Sequence, residues 1–277
     1  MQLAAAPGSY YNRARKGGGE LNRSMLEQRL YLSGIDDQAA AIARSRGLGY
    51  EITKFCYAPE LDRPEAFSEV QADIAGLSRL WLHAPFAELC PCAVDPMARE
   101  VTRRRYRQAF DMAGRLGVRR LVIHGGFIPF VYYPEWYVSQ SVEFWRAFLK
   151  DVPSGMQLVL ENVMEPGPDT LVEIVRQVDD PRLGLCLDIG HANTVVSHTK
   201  PMDWIAPMQP FLRHVHLHDN LGEMDLHLPL GEGSMPVTEL LDALLELCPE
   251  TTFTLENQQC AGSLSFLREN GYLEERE

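Results

Sequence analysis

Short runs dominated by apolar residues recur along the chain, separated by longer stretches in which apolar positions fall three and four residues apart. The runs QRLYLSG (28–34), YEITKF (50–55), SRLWLHA (78–84), RRLVIHG (119–125), QLVLEN (157–162), LGLCLDI (183–189), RHVHLHD (213–219) and TTFTLEN (251–257) predict eight β-strands. Between them DDQAAAIARSRG, EAFSEVQADIAGL, the 98–116 segment, EFWRAFLKDV, DTLVEIVRQV and VTELLDALLEL carry the helical period. Strict alternation of strand and helix implies parallel strands, and eight such units predict an α/β fold, a single (β/α)8 TIM barrel. A doubly wound sheet is the alternative, disfavoured by the eight units and by the lack of a glycine-rich dinucleotide loop after the first strand. Residues 1–26, rich in Gly, Ala and Arg without periodicity, are expected to form a flexible extension, with Met25 as an alternative start. Residues 27–277 then make up the barrel domain.

Composition narrows the partners. The 277 residues are 45% hydrophobic, enough for one large core, and 38 acidic against 26 basic residues give a net charge of −12. No long-range field therefore draws nucleic acid or an anionic membrane to the molecule. No apolar run reaches the roughly 18 residues of a membrane span, and the first twenty residues lack a signal-peptide core, so a cytoplasmic protein is expected. Cys56, Cys90, Cys92, Cys186, Cys248 and Cys260 lack regular spacing and read as reduced thiols; Cys90-Pro91-Cys92 is not a C-x-x-C and has no second pair. The arginines at 99, 103, 104, 105 and 107 belong to a helical pattern that places Val101, Tyr106, Phe110 and Leu116 on its buried side. That pattern describes a solvated outer helix rather than a nucleic-acid surface.

Chemistry in such a barrel gathers where the strands end. Strand three ends in His83, four in His124, five in Glu161 and six in Asp188 with His191 three residues on; seven ends in His216, His218 and Asp219, and eight in Glu256. The loop after strand seven adds Asp225, His227 and a Gly231-Glu232-Gly233 turn. Any one of these reads as an ordinary hydrogen-bonded rim residue, but carboxylates and imidazoles converging on one mouth call for divalent cations. A mixed nitrogen and oxygen set without thiolate suits zinc, manganese, iron or cobalt better than calcium. Cys186 alternates with Asp188 and is expected to pack beneath the site.

LHAPF, VIHGG, LVLEN, CLDIGH, HVHLHDN, DLHLPLGEG and TLEN, in this order and on these strands, resemble the xylose isomerase-like TIM barrel superfamily of sugar phosphate isomerases and epimerases and endonuclease IV (AP endonuclease family 2). The resemblance runs from about residue 28 to 270. It implies a metal site at Glu161, Asp188, His216 and Glu256, with Glu161 and Glu256 as the catalytic acid/base pair. The endonuclease pattern further implies His83 and His124 as ligands of a first ion bridged by Glu161 to a second, and His191, Asp225 and His227 around a third. One to three divalent ions, zinc or manganese, are thus expected. Within HVHLHDN, His216 takes the ligand position and His214 lies deeper as a core histidine. His218 and Asp219 are expected at the rim, orienting ligands or touching substrate.

Two chemistries compete. A metal-dependent isomerase or epimerase moves a proton next to a carbonyl in a sugar, sugar phosphate or keto-polyol; a multi-zinc phosphodiesterase cleaves abasic DNA. The ligand count favours the second, the loops the first. DNA binding needs cations or backbone donors along the rim, and the loops after the strands offer only Arg63 and Lys200 as fixed positive charges. A small carbohydrate-like substrate is therefore expected, with His191, His218, Asp219, Glu232, Lys54 and Trp136 as its contacts. Trp136 belongs to an aromatic set (Phe127, Phe130, Tyr132, Tyr133, Trp136, Tyr137) that reads equally as a pocket wall and as core packing; Lys54 reads more readily as a plain surface lysine. A barrel that binds a metal or ligand without catalysis is the third reading.

Overall fold

The computed structural model describes residues 23–274. Eight strands, β1 (Leu30–Ser33), β2 (Gly49–Ile52), β3 (Leu80–His83), β4 (Arg120–His124), β5 (Gln157–Glu161), β6 (Leu183–Asp188), β7 (Leu212–Leu217) and β8 (Thr252–Leu255), pair in parallel and in sequence order. β1 bonds to β8, so the sheet closes into a barrel. Helices follow the strands: α1 (Ala39–Arg46), α2 (Pro64–Asp73), α3 (Pro96–Arg115), α4 (Pro134–Phe148), α5 (Asp169–Val178), α6 (Pro201–Met208), α7 (Val237–Leu247) and α8 (Cys260–Glu269). All eight predicted strands are present, each end within three residues of its apolar run.

Each strand buries both faces, one against the helices and one inside the barrel. Leu30, Leu32, Ile52, Leu82, Leu121, Ile123, Leu158 and Leu160 belong to the layer between sheet and helices. Each such side chain contributes about 1.5–3 kcal/mol relative to exposure. Inside the barrel, Tyr31, Trp81, Val122, Val159 and Cys186 form a separate apolar plug. Cys186 thus lies beneath the polar end of the barrel, as its alternation with Asp188 predicts. Proline opens α2, α3, α4 and α6, where its missing N–H costs nothing. Asp95 caps α3 by accepting from Met97 N at 2.7 Å. Asp36, in the loop after β1, accepts from Gln38 N and from Cys260 N, both at 2.8 Å, which ties the start of α8 to the first strand's loop.

Two sequence expectations change here. A 3-10 helix over Arg23–Arg29 precedes β1 and packs against the barrel. Its Leu26 is fully buried, and Arg23 pairs with Asp242 at 2.6 Å, so residues 23–26 belong with the domain; residues 1–22 of the expected extension lie outside the described residues. Val101 is 53% exposed and Thr102 takes the buried position instead, because the buried stripe of α3 runs through Thr102, Tyr106, Ala109, Phe110 and Ala113. The arginines of α3 point outward as read, with Arg103 on Glu100, Arg105 on Asp62 and Arg107 on Asp151. Among the described residues no helix is long and apolar enough to cross a membrane.

Candidate metal centre

Strand register assembles the mouth of the barrel. His124 pairs with Glu161 across β4–β5, and Asp188 with His216 across β6–β7. His83 ends β3 and Glu256 directly follows β8, so six neighbouring strands deliver a ligand-type side chain at one end. His191 comes from the turn after β6, and Asp225 and His227 from the loop after β7.

Four groups result, each with donor atoms within 4.8 Å of one another: His83 with His124 and Glu161; Glu161 with Asp188, His216 and Glu256; His191 with His218, Asp225 and His227; and Glu51 with His83 and His216. In the first, His83 Nε2 and His124 Nε2 lie 3.1 and 3.4 Å from Glu161 Oε2. In the second, His216 Nδ1 is 3.1 Å from Glu161 Oε1, 3.1 Å from Glu256 Oε2 and 3.7 Å from Asp188 Oδ2. Glu161 therefore faces two groups with its two oxygens. In the third, His191 Nε2 and His227 Nε2 approach Asp225 Oδ2 at 3.2 and 3.0 Å.

Hydrogen bonding on the far side of the rings decides what these close approaches mean. His83 Nδ1 donates to the Ala84 carbonyl at 2.9 Å, His191 Nδ1 to the Asn162 carbonyl at 2.9 Å, and His227 Nδ1 to the Glu256 carbonyl at 2.7 Å. A carbonyl only accepts, so each Nδ1 carries the proton and each Nε2 of the neutral ring is a lone pair. Those lone pairs face carboxylate oxygens. The arrangement is stable only with a cation between them, either a second proton on the ring or a metal ion.

The electrostatics agree. Among the described residues no Lys or Arg pairs with Glu51, Glu161, Asp188, Asp225 or Glu256. Burial opposes charging His191, but Asp188, Asp225 and Glu161 outweigh it and hold its pKa well above the usual imidazole range. The same contest, with Asp225 and Glu256 on the winning side, lifts His227 to about 9. Burial also raises Asp188, yet His191 and His218 bring it down to about 2. His124 falls to about 3, because burial and the repulsion of His83, His191 and His216 exceed the pull of Glu161. The mouth demands positive charge, and divalent ions with imidazole and carboxylate ligands fit the donor set.

The remaining predicted residues divide. His218 is fully buried, and its Nε2 lies 3.0 Å from Asp188 Oδ1. Its ring stacks on His227 at 4.0 Å and 17°, and its Nδ1, without a hydrogen-bond partner, lies 3.6 Å from Asp225 Oδ1, which places it with the third group. Gly190 makes room for that ring, since a Cβ there would lie 2.5 Å from His218 Nε2 and closer still to Cε1. His214 is the core histidine expected, held by Thr252 Oγ1 at 2.7 Å and stacked on Trp81.

Other expectations are corrected. Asp219 does not face the mouth: it is fully buried, its carboxylate accepting from the backbone N–H groups of Asn220 and Gly231 at 2.9 and 3.1 Å, so it shapes the β7–α7 loop. Lys54 is turned into ion pairs with Glu60 and Glu69, because the chain enters a 3-10 turn (Lys54–Cys56) just past β2. Trp136 commits its indole N–H to the Cys92 carbonyl at 2.9 Å, and Glu232 is exposed on its turn. The aromatic set splits as well: Phe127 and Tyr137 pack in the core, while Phe130 and Tyr133 are exposed.

Two residues escaped the sequence reading. Phe86 stacks on His124 at 4.3 Å and remains 40% exposed, an aromatic wall beside the first group. Glu51 of β2 is fully buried with Oε1 3.1 Å from His216 Nε2. Its signal was a lone carboxylate between Tyr50 and Ile52 in a strand that buries both faces.

A model of the xylose isomerase-like TIM barrel matches residues 42–271. The chain belongs to this family. Among xylose isomerase-like barrels of known structure, a D-tagatose 3-epimerase-like protein superposes with a TM-score of 0.72 at 25% identity, over 88% of this chain and 97% of the other. A Thermus thermophilus protein soaked with zinc chloride superposes with a TM-score of 0.70 at 29% identity, over the same shares. An uncharacterised protein of Methanocaldococcus jannaschii is 32% identical over 191 residues, 64% of each chain, so the match spans just under two thirds of that relative's length. A probable endonuclease 4 of Mycobacterium leprae is 25% identical over 205 residues, 69% of this chain and 78% of its own.

Proposed function

We propose that this xylose isomerase-like barrel is a metal-dependent isomerase or epimerase acting on a small carbohydrate-like substrate, with zinc or manganese held by Glu161, Asp188, His216 and Glu256. When bound there, the ion would polarise the substrate's carbonyl and adjacent hydroxyl and so acidify the intervening C–H. Glu256, at the very end of β8, is 6% exposed against 1% for Glu161 and is the carboxylate nearer to incoming substrate. Its free oxygen takes the proton next to the carbonyl. Glu161, reaching across from β5, would relay a proton taken up from solvent to the opposite face of that carbon, which inverts the centre, or to the former carbonyl carbon, which moves the carbonyl. Phe86 covers one flank of the imidazoles and offers an apolar face to a sugar ring.

The observation that carries this reading over DNA cleavage is the charge at the rim. Arg63, one of the two cations expected there, is consumed by Glu60 and Glu69 at 2.7 and 2.8 Å, and Lys54 shares the same two carboxylates. Exposed Tyr57, Phe130, Tyr133, Met164, Leu221 and Met224 occupy the loops instead. Such a rim suits a small, weakly charged molecule better than a phosphate backbone. The likeness to the epimerase-like structure supports the same choice. The filled ligand positions around the third group, and the likeness to endonuclease 4, favour the phosphodiesterase as the second reading. Incubation in deuterated water with a panel of ketoses and keto-polyols tests the proposal. Deuterium gained at the carbon beside the carbonyl is expected; cleavage of an abasic-site duplex with no exchange in any sugar would reverse it.

A further inference from the structure

Glu51 is a buried carboxylate that neither folding nor proton transfer to substrate accounts for. Its Oε2 is fixed from two directions, by the Thr254 hydroxyl, which donates at 2.6 Å, and by His214 Nε2 at 3.2 Å. His214 is itself held by Thr252 and by stacking on Trp81. Oε1 is left over, 3.1 Å from His216 Nε2. The two are not well aligned for a hydrogen bond, but neither atom has one to any other group. A buried acceptor and a buried ring nitrogen, each without another partner, can satisfy only each other. The opposite edge of the same ring points Nδ1 at Glu161, Asp188 and Glu256.

We propose that Glu51 is a positioning residue for the metal centre: it keeps the His216 proton on Nε2, so that Nδ1 meets the ion as a lone pair. The proposal rests on the reading of the mouth as a metal centre. A neutral imidazole has one proton, and wherever it resides the other nitrogen is the ligand. Nothing else around His216 favours the Nδ1 lone pair, because the carboxylates facing Nδ1 would themselves attract the proton. The backbone carbonyls behind His83, His191 and His227 perform this service for those rings. His216, in mid-strand beside β8, has its neighbouring carbonyls committed to the sheet, and a side chain from β2 replaces them. Glu51, His83 and His216 also come close enough together to suggest direct ligation by Glu51. That would require the lone pair on Nε2 and would withdraw His216 from the three carboxylates on its other edge.

The test is the affinity of zinc and of manganese for the metal-free full chain, by calorimetry, in the wild type and in Glu51→Gln, Glu51→Ala and Glu161→Gln. An amide oxygen still accepts from Nε2–H, so Glu51→Gln should bind within about threefold of wild type. Glu51→Ala should lose about 10–100-fold, the usual effect of removing a partner behind a ligating histidine. Long-range proton–nitrogen spectra of the zinc-loaded wild type should show the His216 proton on Nε2 and the ion on Nδ1, and this measurement stands even if Glu51→Ala fails to fold. Unchanged affinity in a folded Glu51→Ala overturns the proposal. So does loss in Glu51→Gln as severe as in Glu161→Gln, which would make Glu51 a ligand, or an ion on Nε2. A wild type that takes up no ion defeats the metal-centre reading itself, an outcome distinct from all of these. Absence of sugar turnover would bear on the isomerase reading alone.

Discussion

Gly190→Ala makes the most local demand on the architecture of the site. The glycine has helical dihedrals that alanine adopts freely, so the perturbation is purely one of space. The new methyl would lie 2.5 Å from His218 Nε2 and nearer to two other ring atoms. Ordinary carbon contacts are about 3.5–4.0 Å, so the ring has to move by roughly 1 Å or more. It has nowhere to go: His218 is fully buried, bonded to Asp188 on one edge and stacked on His227. Overpacking costs about 1–3 kcal/mol, and losing the charge-assisted contact to Asp188 about 1.5–3 more, or roughly 2.5–6 kcal/mol together. For a domain of this size that lowers Tm by about 5–24 °C. Freed from His218, Asp188 should also bind metal about 10–100-fold more weakly. Calorimetric melting and metal titration measure both effects. Gly114→Ala is the control, since nothing lies within 4 Å of its added methyl in α3, and it should stabilise by about 0.5–1 kcal/mol. The double variant Gly190→Ala/His218→Ala should cost less than the sum of its parts, because the clash disappears with the ring. A Gly190→Ala protein that melts and binds metal like wild type would refute the packing argument.

Two further outcomes follow from individual side chains. Asp36→Ala should cost about 1 kcal/mol at neutral pH through the lost cap on α8. Burial pushes the Asp36 pKa up, but the Cys260 and Gln38 N–H groups outweigh it and hold it below the ordinary 3.8. A depressed folded-state pKa contributes stability that is full above the unfolded value and fades as pH falls through the folded one, so denaturant melts of variant and wild type should converge in acid below about pH 4. A gap that persists unchanged at about pH 2 would show that ionisation is not what matters. Glu256→Gln should slow carbon–hydrogen exchange by about 10²–10⁴-fold with the fold intact, as deuterium incorporation by mass spectrometry would reveal; undiminished exchange would remove Glu256 from the proton transfer.

The candidate ligands at strand ends were legible because a (β/α)8 chain turns position along a strand into position in space. His83, His124, Glu161, Asp188, His216 and Glu256 needed only the strand pattern and the closure it implies. Glu51 was not legible in the same way. One glutamate inside a strand looks like a solvent-facing residue until β2 is known to bury both faces. Asp219 departed from expectation, and Lys54 proved the plain surface lysine, for a related reason: the residues past a strand's last ladder bond take their direction from local turns. A 3-10 turn carries Lys54 away to Glu60 and Glu69, and the isolated bridge between Asp219 and Leu228 folds the β7–α7 loop back on itself. His218 obeyed strand alternation, but its stacking on His227 and its grip on Asp188 depend on a loop conformation that no periodicity encodes.

Metal content decides whether the imidazole lone pairs facing carboxylates in the barrel mouth are held together by divalent ions. Elemental analysis of protein purified without added metal, followed by chelation and titration with zinc and with manganese, tests this most directly. Between one and three ions per chain are expected, with release of protons as the ions replace those on His191, His216 and His227, and a fall in Tm when the ions are removed. A folded protein that carries no metal and takes up neither ion on titration would contradict the metal-centre reading.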